Sequence, residues 1–168
     1  MELFLQPYSS QFRLEIITRI AKFFGFHFHL SDANFSGNID YKAAEETLEE
    51  WLCKSGTLYM ILLDDKAVGF IRIGYRGENV AWIEDIFVDE AYRNRGIATK
   101  SIRLAEQIIK SNPQYTAVCL DVSAKNTSAL RLYHKLGYDT LSMVTVRKEF
   151  VQKISSDSEC ISGLQFKL

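Results

Sequence analysis

Residues 88–99 combine the residue types that bind a phosphate group at the start of a helix. This segment contains Arg93-Asn-Arg95-Gly96-Ile-Ala98. Unpaired backbone N–H groups at a helix N-terminus carry partial positive charge, and the small residues Gly96 and Ala98 let an anion approach them. Arg93 and Arg95 add further positive charge. The segment therefore predicts a pyrophosphate site at a strand-to-helix turn.

Two better-known phosphate loops do not fit this turn. A dinucleotide-binding turn needs three glycines in the pattern GxGxxG, and Gly96 is the single glycine here. Lys100-Ser101 resembles the end of a Walker-type loop, but Asn94 and Thr99 occupy its glycine positions. An ordinary helix start with solvated arginines stays open as the alternative.

The elements that must position this turn follow from hydrophobic periodicity and from turn residues. The pattern predicts eleven elements and a mixed sheet, because hairpins lead into a strand-helix-strand crossover. The predicted strands are 2–8, 57–63, 67–75, 80–88, 115–122, 138–150 and 161–168. The predicted helices are 12–24, with Ser9 or Ser10 as the N-cap and Gly25 as the stop, then 40–54, 96–110 and 128–136.

Residues 26–39 show no clear period and are predicted to form a long loop, the kind that often binds ligands. His27 and His29 flank Phe28 in this segment. A metal site needs further ligands, so we expect no metal, and the role of the two histidines stays open. Aromatic and acidic residues of this segment and of the start of the next helix would suit a cationic amine; they are Phe26, Phe28, Asp32, Phe35, Asp40 and Tyr41.

Composition and charge exclude several classes of protein. The chain has 168 residues, 47% hydrophobic and 24% charged, which is typical of one globular domain over residues 1–168. Its net charge of −1 disfavours nucleic-acid binding. The apolar runs are too short to span a membrane, and no signal peptide is evident, so we expect a cytoplasmic protein. The three cysteines lack metal-binding spacing.

The turn and its flanks resemble the GNAT superfamily of acyl-CoA-dependent N-acetyltransferases. Arg93-x-x-Gly96-x-Ala98 matches the family signature R/Q-x-x-G-x-G/A. Residues 84–88 precede it as the fourth strand of the family does. Asn126 and the run Leu-Tyr-His-Lys-Leu-Gly-Tyr at 132–138 follow the fifth strand, as in many members. The resemblance covers the whole order of elements and is tightest over residues 82–138.

The resemblance implies a fold in which strands four and five splay apart and acetyl-CoA lies between them. The family would bind pantetheine on the backbone of strand four and pyrophosphate on the amides of the turn. Carried over to this chain, the coenzyme contacts are Ile86, Phe87, Val88, Arg93, Asn94, Arg95, Gly96, Ile97, Ala98, Thr99 and Asn126. The reaction implied is direct attack of an amine on the thioester.

This reaction moves two protons, and two residues are candidates for moving them. An alkyl amine has a pKa near about 10.4, so a base must take its proton, and the leaving thiolate must gain one. Glu84 interrupts an apolar strand and is the candidate base, through a water molecule. Asp85 is its rival, since a bulge could change which of the two faces the site. The family resemblance makes Tyr133, seven residues after Asn126, the candidate acid.

The sequence thus predicts a GNAT-like enzyme that acetylates the primary amine of a small cationic molecule. Two alternatives stay open: an acetyltransferase of protein N-termini or lysines with the same fold, and a non-catalytic acyl-CoA-binding module. The expected partner is a small-molecule amine, without nucleic acid or membrane, and a homodimer is left open. The acceptor, the acyl-chain preference and the oligomeric state are not determined by the sequence.

Overall fold

The computed structural model describes residues 2–31, 40–148, 150 and 157–168. They form two compact units, of which the first ends at Asp121 and the second begins at Val122. The expected single domain stays a prediction. In chain order the elements are β1 (Leu3–Pro7), α1 (Arg13–Ser31), α2 (Tyr41–Cys53), β2 (Gly56–Leu63), β3 (Lys66–Gly74), β4 (Val80–Val88), α3 (Ile97–Lys110), β5 (Ala117–Leu120), α4 (Thr127–Leu136), β6 (Ser158–Ile161) and β7 (Leu164–Lys167).

The first unit contains a five-stranded mixed sheet in the order β1-β2-β3-β4-β5. Strands β1 to β4 pair antiparallel with their neighbours, and β5 runs parallel to β4. A parallel neighbour requires a crossover connection, which α3 provides. The predicted mixed α/β class is therefore confirmed, and the predicted order of strands and helices holds from β1 to α4.

Strand β4 carries a bulge at Glu84. Asp85 pairs with Arg72 of β3 and Ile83 pairs with Ile73, so Glu84 is an extra residue between two consecutive pairs. The ladder between β4 and β5 covers only residues 80–83 and 117–120. Within the described part of the chain, β4 therefore continues beyond its pairing with β5, as expected for central strands that splay apart.

Helices pack on both faces of the sheet because successive strand residues alternate between the faces. Helices α1 and α2 cover one face, where Phe70 of β3 and Met60 of β2 are fully buried with Ile16, Ile20, Ala44 and Leu48. Helix α3 packs against β1, β3 and β4. It buries a stripe at helical spacing, formed by Ile97, Ser101, Ile102, Ala105 and Ile109. The two layers hold β4 and the start of α3 in place.

Helix α1 differs from the prediction. It continues through Gly25 to Ser31, so residues 26–31 are helical and the predicted loop is wrong there; residues 32–39 lie outside the described residues. A glycine inside a helix costs about 1 kcal/mol, which side-chain contacts can offset. Phe23 and His27, one turn apart, have ring centroids 4.4 Å apart.

The second unit contains α4 and a separate two-stranded sheet. The Asn126 side chain accepts a hydrogen bond from the Ala129 backbone N–H at 3.2 Å, and Gly137 ends the helix with φ +99°. The predicted strand over 138–150 is wrong for residues 138–148, which form no strand. The predicted last strand, 161–168, lies in a hairpin instead, because β6 and β7 pair across a turn at Ser162 and Gly163.

Among the described residues, no helix is both long and apolar enough to cross a membrane. The cytoplasmic location stays a prediction.

Candidate active site

The predicted anion-binding turn lies between β4 and α3, and its backbone is open. Gly96 is the N-cap of α3, with φ +74°, and no side chain caps the helix. A Cβ built at Gly96 would have no atom within 4 Å. Asn94 also has a left-handed φ, +60°. Since the first amides of a helix have no intrahelical acceptor, this uncapped start leaves N–H donors for an anion.

Arg93 is held at the end of β4. Its Nε donates a hydrogen bond to the Val88 carbonyl at 3.1 Å. The guanidinium carbon lies 5.1 Å from the ring centre of Phe26 and 5.5 Å from that of Phe87. Arg95 is exposed and lies 5.6 Å from the ring centre of Tyr92. Arg93 therefore supports the turn through α1 and β4, while the ring contact of Arg95 is with Tyr92.

These residues fit the coenzyme that the signature implies. The open helix start at Gly96 suits a pyrophosphate, because no side chain fills it and no acidic residue lies in the first turn of α3. Residues 84–88 of β4 lie beyond the ladder with β5. Their backbone groups on that side are placed to pair with an extended chain such as pantetheine. The assignments of Ile86, Phe87 and Val88 to pantetheine, and of residues 93–99 to the phosphates, remain predictions.

The bulge of β4 brings the two candidate bases to one arginine. Arg72 Nε donates to Asp85 Oδ2 at 2.8 Å, and Arg72 Nη2 lies 3.7 Å from Glu84 Oε2. The guanidinium carbon of Arg72 lies 4.8 Å from the ring centre of Trp51 on α2. The side chains of Arg72, Glu84 and Asp85 are 14%, 6% and 17% exposed. Buried carboxylates need such partners, because an unpaired buried charge is costly.

A second arginine covers Glu84 from the loop between β3 and β4. Arg76 Nε donates to Glu84 Oε1 at 2.7 Å, and its Nη2 contacts Glu84 Oε2, so the pair is bidentate. Arg76 Nη1 also reaches Asp121 Oδ2 at 3.3 Å. The guanidinium carbon lies 4.4 Å from the ring centre of Trp82. Three carboxylates and two guanidiniums thus form one network at the bulge.

Burial shifts the pKa of two groups in and next to this network, Asp85 and His27. Desolvation raises the pKa of Asp85, opposed by its hydrogen bond to Arg72 and reinforced by the charge of Glu84. Partial burial lowers the pKa of His27, while the negative charge of Asp85 opposes that change. The raised pKa makes Asp85 a stronger proton acceptor than an exposed aspartate, so it stays a rival to Glu84 as the base.

The second unit carries Tyr133 and Asn126 on and next to α4. The ring of Tyr133 lies 6.1 Å from that of Tyr138, and burial raises the pKa of Tyr133. Its hydroxyl therefore stays protonated at neutral pH, as an acid must be. Asn126 caps α4 by its side chain. The coenzyme contact of Asn126 and the acid role of Tyr133 remain predictions.

Arg72, Arg76 and Trp51 are parts of the network that the sequence reasoning missed. Arg72 was detectable, because it interrupts the apolar strand β3 just as Glu84 interrupts β4. No local pattern in the sequence identifies Arg76 or Trp51 as part of the network. Arg76 joins a loop to β4, and Trp51 joins α2 to β3, so both contacts depend on the tertiary structure. No group of three or more His, Cys, Asp or Glu residues that could hold a metal ion is found among the described residues.

The fold and the signature around Gly96 are those of one family. The family model "Acetyltransferase (GNAT) family" matches residues 26–138, which is most of the chain. The chain therefore belongs to this family, whose members are N-acetyltransferases that use acetyl-CoA. The match includes the anion-binding turn, the bulged strand β4 and helix α4.

Two relatives that carry curated names match parts of this chain. Streptothricin acetyltransferase of Escherichia coli is 28% identical over 121 residues, covering 67% of this chain and 66% of that protein. The catalytic subunit of the N-terminal acetyltransferase B complex of Arabidopsis thaliana is 31% identical over 77 residues, covering 44% of each chain. The matches span at most about two thirds of these relatives, so neither assigns an acceptor to this chain.

Solved structures show the same fold. An aminoglycoside N-acetyltransferase in complex with CoA superposes with a TM-score of 0.66 at 19% identity, covering 89% of this chain and 96% of that one. An aminoglycoside acetyltransferase from an uncultured soil sample, in complex with sisomicin, gives a TM-score of 0.58 at 21% identity, covering 90% and 97%. At these identities the likeness supports the fold alone.

Proposed function

We propose that this protein transfers the acetyl group of acetyl-CoA to a primary amine of a small cationic molecule. The observation that carries the proposal is the acidic network at the β4 bulge. Glu84 and Asp85 are mostly buried beside the point where the β4–β5 ladder stops. A negatively charged, partly desolvated position attracts an ammonium group, and it lies in the same unit as the anion-binding turn.

Acetyl-CoA supplies the thioester carbonyl that is attacked. The uncapped N–H groups at the start of α3 and the side chain of Arg95 bind its phosphates, and residues 86–88 hold pantetheine by their backbone. The amine nitrogen forms a bond to the carbonyl carbon, and the carbon–sulfur bond breaks. The products are an N-acetyl amine and the free thiol of the coenzyme.

Two side chains move the protons in this proposal. Glu84 takes a proton from the incoming ammonium through a water molecule, which leaves a neutral amine that can attack. Tyr133 gives its hydroxyl proton to the departing thiolate, and the second proton lost by the acylated nitrogen returns to the tyrosinate through solvent. Asp85 is the alternative base, and its raised pKa favours it. The bulged position of Glu84, which has Arg76 on a loop as a partner in addition to Arg72 on β3, favours Glu84.

A second candidate function has one specific observation behind it. The Arabidopsis thaliana relative is the catalytic subunit of an N-terminal acetyltransferase complex, and 77 residues of this chain resemble it at 31% identity. A peptide amine is therefore the alternative acceptor. A non-catalytic acyl-CoA-binding module is the remaining alternative, and it predicts coenzyme binding without thiol release.

A thiol-release screen tests these functions against one another. The protein is incubated with acetyl-CoA and with polyamines, aminoglycosides, amino acids or peptides, and free coenzyme thiol is measured. Release with small cationic amines supports the proposal, and release with peptides alone supports the second candidate. Binding without release in any panel identifies a non-catalytic module. With an active amine, Glu84→Gln should lower the rate roughly 10²-fold and Asp85→Asn much less; the reverse order would assign the base to Asp85.

A further inference from the structure

Glu84 is paired with two arginines that differ in exposure and in their place in the fold. Arg72 lies within β3, is 14% exposed, and contacts Asp85, Glu84 and the ring of Trp51. Arg76 lies outside the strands, and its side chain is 49% exposed. Because a loop residue with a solvated head can change rotamer without disturbing a sheet, Arg76 is the partner that can leave.

We propose that Arg76 is a displaceable counter-ion, and that an ammonium group of the acceptor replaces its guanidinium between Glu84 and Asp121. This inference rests on the proposed function, and it names the feature of the acceptor that the site selects. The group taken is an alkylammonium, because it must fit the two carboxylates that Arg76 now bridges, at 2.7 Å from Glu84 and 3.3 Å from Asp121.

The exchange keeps the buried carboxylate paired at every stage. The side chain of Glu84 is 6% exposed, and leaving such a charge without a cation is costly. Replacing one cation by another avoids this cost. Asp121 is 71% exposed and lies on the solvent side of the network, so it can meet an incoming cation first. A neutral acceptor gains nothing from Glu84 and must compete with Arg76.

Trp82 provides a signal for this exchange that does not depend on catalysis. The Arg76 guanidinium stacks on its ring at 4.4 Å, a cation–π contact that is lost when the arginine leaves. The chain has two tryptophans, and Trp51 contacts Arg72 instead. In a Trp51→Phe background, fluorescence therefore reports on Trp82 alone.

The experiment combines binding and kinetics on matched variants. Trp51→Phe protein is titrated with 1,4-diaminobutane, and the fluorescence of Trp82 is followed with and without the further change Arg76→Gln; calorimetry gives the affinity of both. The same Arg76→Gln change is made in the otherwise unaltered protein, and KM and kcat are measured for the best amine of the screen. Lys110→Gln, which removes one positive charge at the far end of α3, is the control.

We expect the diamine to change Trp82 fluorescence only when Arg76 is present. We expect Arg76→Gln to tighten diamine binding and lower KM about tenfold or more, since the internal competitor is gone. The Lys110→Gln control should change neither value. Weaker binding, a raised KM or an unchanged affinity in the folded Arg76→Gln variant would overturn the proposal, as would absence of diamine binding in both proteins.

The outcome separates this inference from the proposed function. If no amine releases thiol but the diamine still displaces Arg76 from Trp82 and binds the variant more tightly, the counter-ion role stands and acetyl transfer is refuted. Suppose instead that amines are acetylated, that Arg76→Gln leaves KM unchanged, and that the diamine does not change Trp82 fluorescence. The counter-ion role is then refuted and the proposed function stands.

Discussion

Gly74 makes room for the carboxylate that we propose as the base. It is the last residue of β3 and pairs with Trp82 of β4. A Cβ built on Gly74 would lie 2.7 Å from Cγ and 2.8 Å from Cδ of Glu84, closer than real Cβ contacts come. The change Gly74→Ala must therefore push Glu84 away from its position beside Arg76.

The size of the effect follows from this clash. Glu84 is 6% exposed and paired with two arginines, so it cannot simply rotate into solvent. Overpacking of this kind costs about 1–3 kcal/mol. For a chain of this length, that lowers Tm by about 2–12 °C. Displacing the proposed general base should also reduce kcat by roughly 10²-fold. The affinity for acetyl-CoA should stay unchanged, because the change does not alter the start of α3.

The assay measures Tm, kcat and acetyl-CoA affinity for Gly74→Ala and for a nearby control. Gly77→Ala introduces the same methyl group three residues away, where no atom lies within 4 Å, and it should leave all three values near wild type. The double variant Gly74→Ala/Glu84→Gln should have the kcat of Glu84→Gln alone, because both changes act on one group. Wild-type kcat in Gly74→Ala would refute the reasoning.

Three further predictions test other parts of the site. Gly96→Asp adds bulk and negative charge at the turn and should weaken acetyl-CoA binding well over tenfold by calorimetry, more than Gly96→Asn, which adds similar bulk without the charge; unchanged affinity in the folded Gly96→Asp variant would contradict a phosphate at this turn. Tyr133→Phe should lower kcat roughly 10²-fold with little change in Tm or acetyl-CoA affinity, and a lowered Tm with normal turnover would indicate a structural role. Because burial raises the pKa of Asp85 above 3.8, protonated Asp85 stabilises the fold at low pH, and this contribution is lost as pH rises through the raised pKa. The free energy of unfolding of wild type, relative to Asp85→Asn, should therefore fall in urea titrations as the pH rises above the ordinary pKa of an aspartate and through the raised one; a constant difference would contradict the raised pKa.

The sequence predicted best where one local feature dominates. The start of α3 at Gly96 and the end of α4 at Gly137 are fixed by glycines with φ of +74° and +99°, which other residues rarely adopt. The prediction that Gly25 ends α1 is wrong for the opposite reason. No positive φ is needed at Gly25, and contacts of Phe23 and Phe26 favour a longer helix.

What the sequence by itself determined is the family and the start of α3 at Gly96, where we predict that an anion binds. The order of elements, the signature around Gly96 and the carboxylates in an apolar strand are all local patterns, because they depend on neighbouring residues. Only the tertiary structure decided which charges meet. Strand alternation places Glu84 and Asp85 on opposite faces, but the bulge brings both to Arg72, and a loop adds Arg76. A bulge depends on how two strands align, and ion pairs depend on residues distant in the chain, so neither can be read from spacing alone.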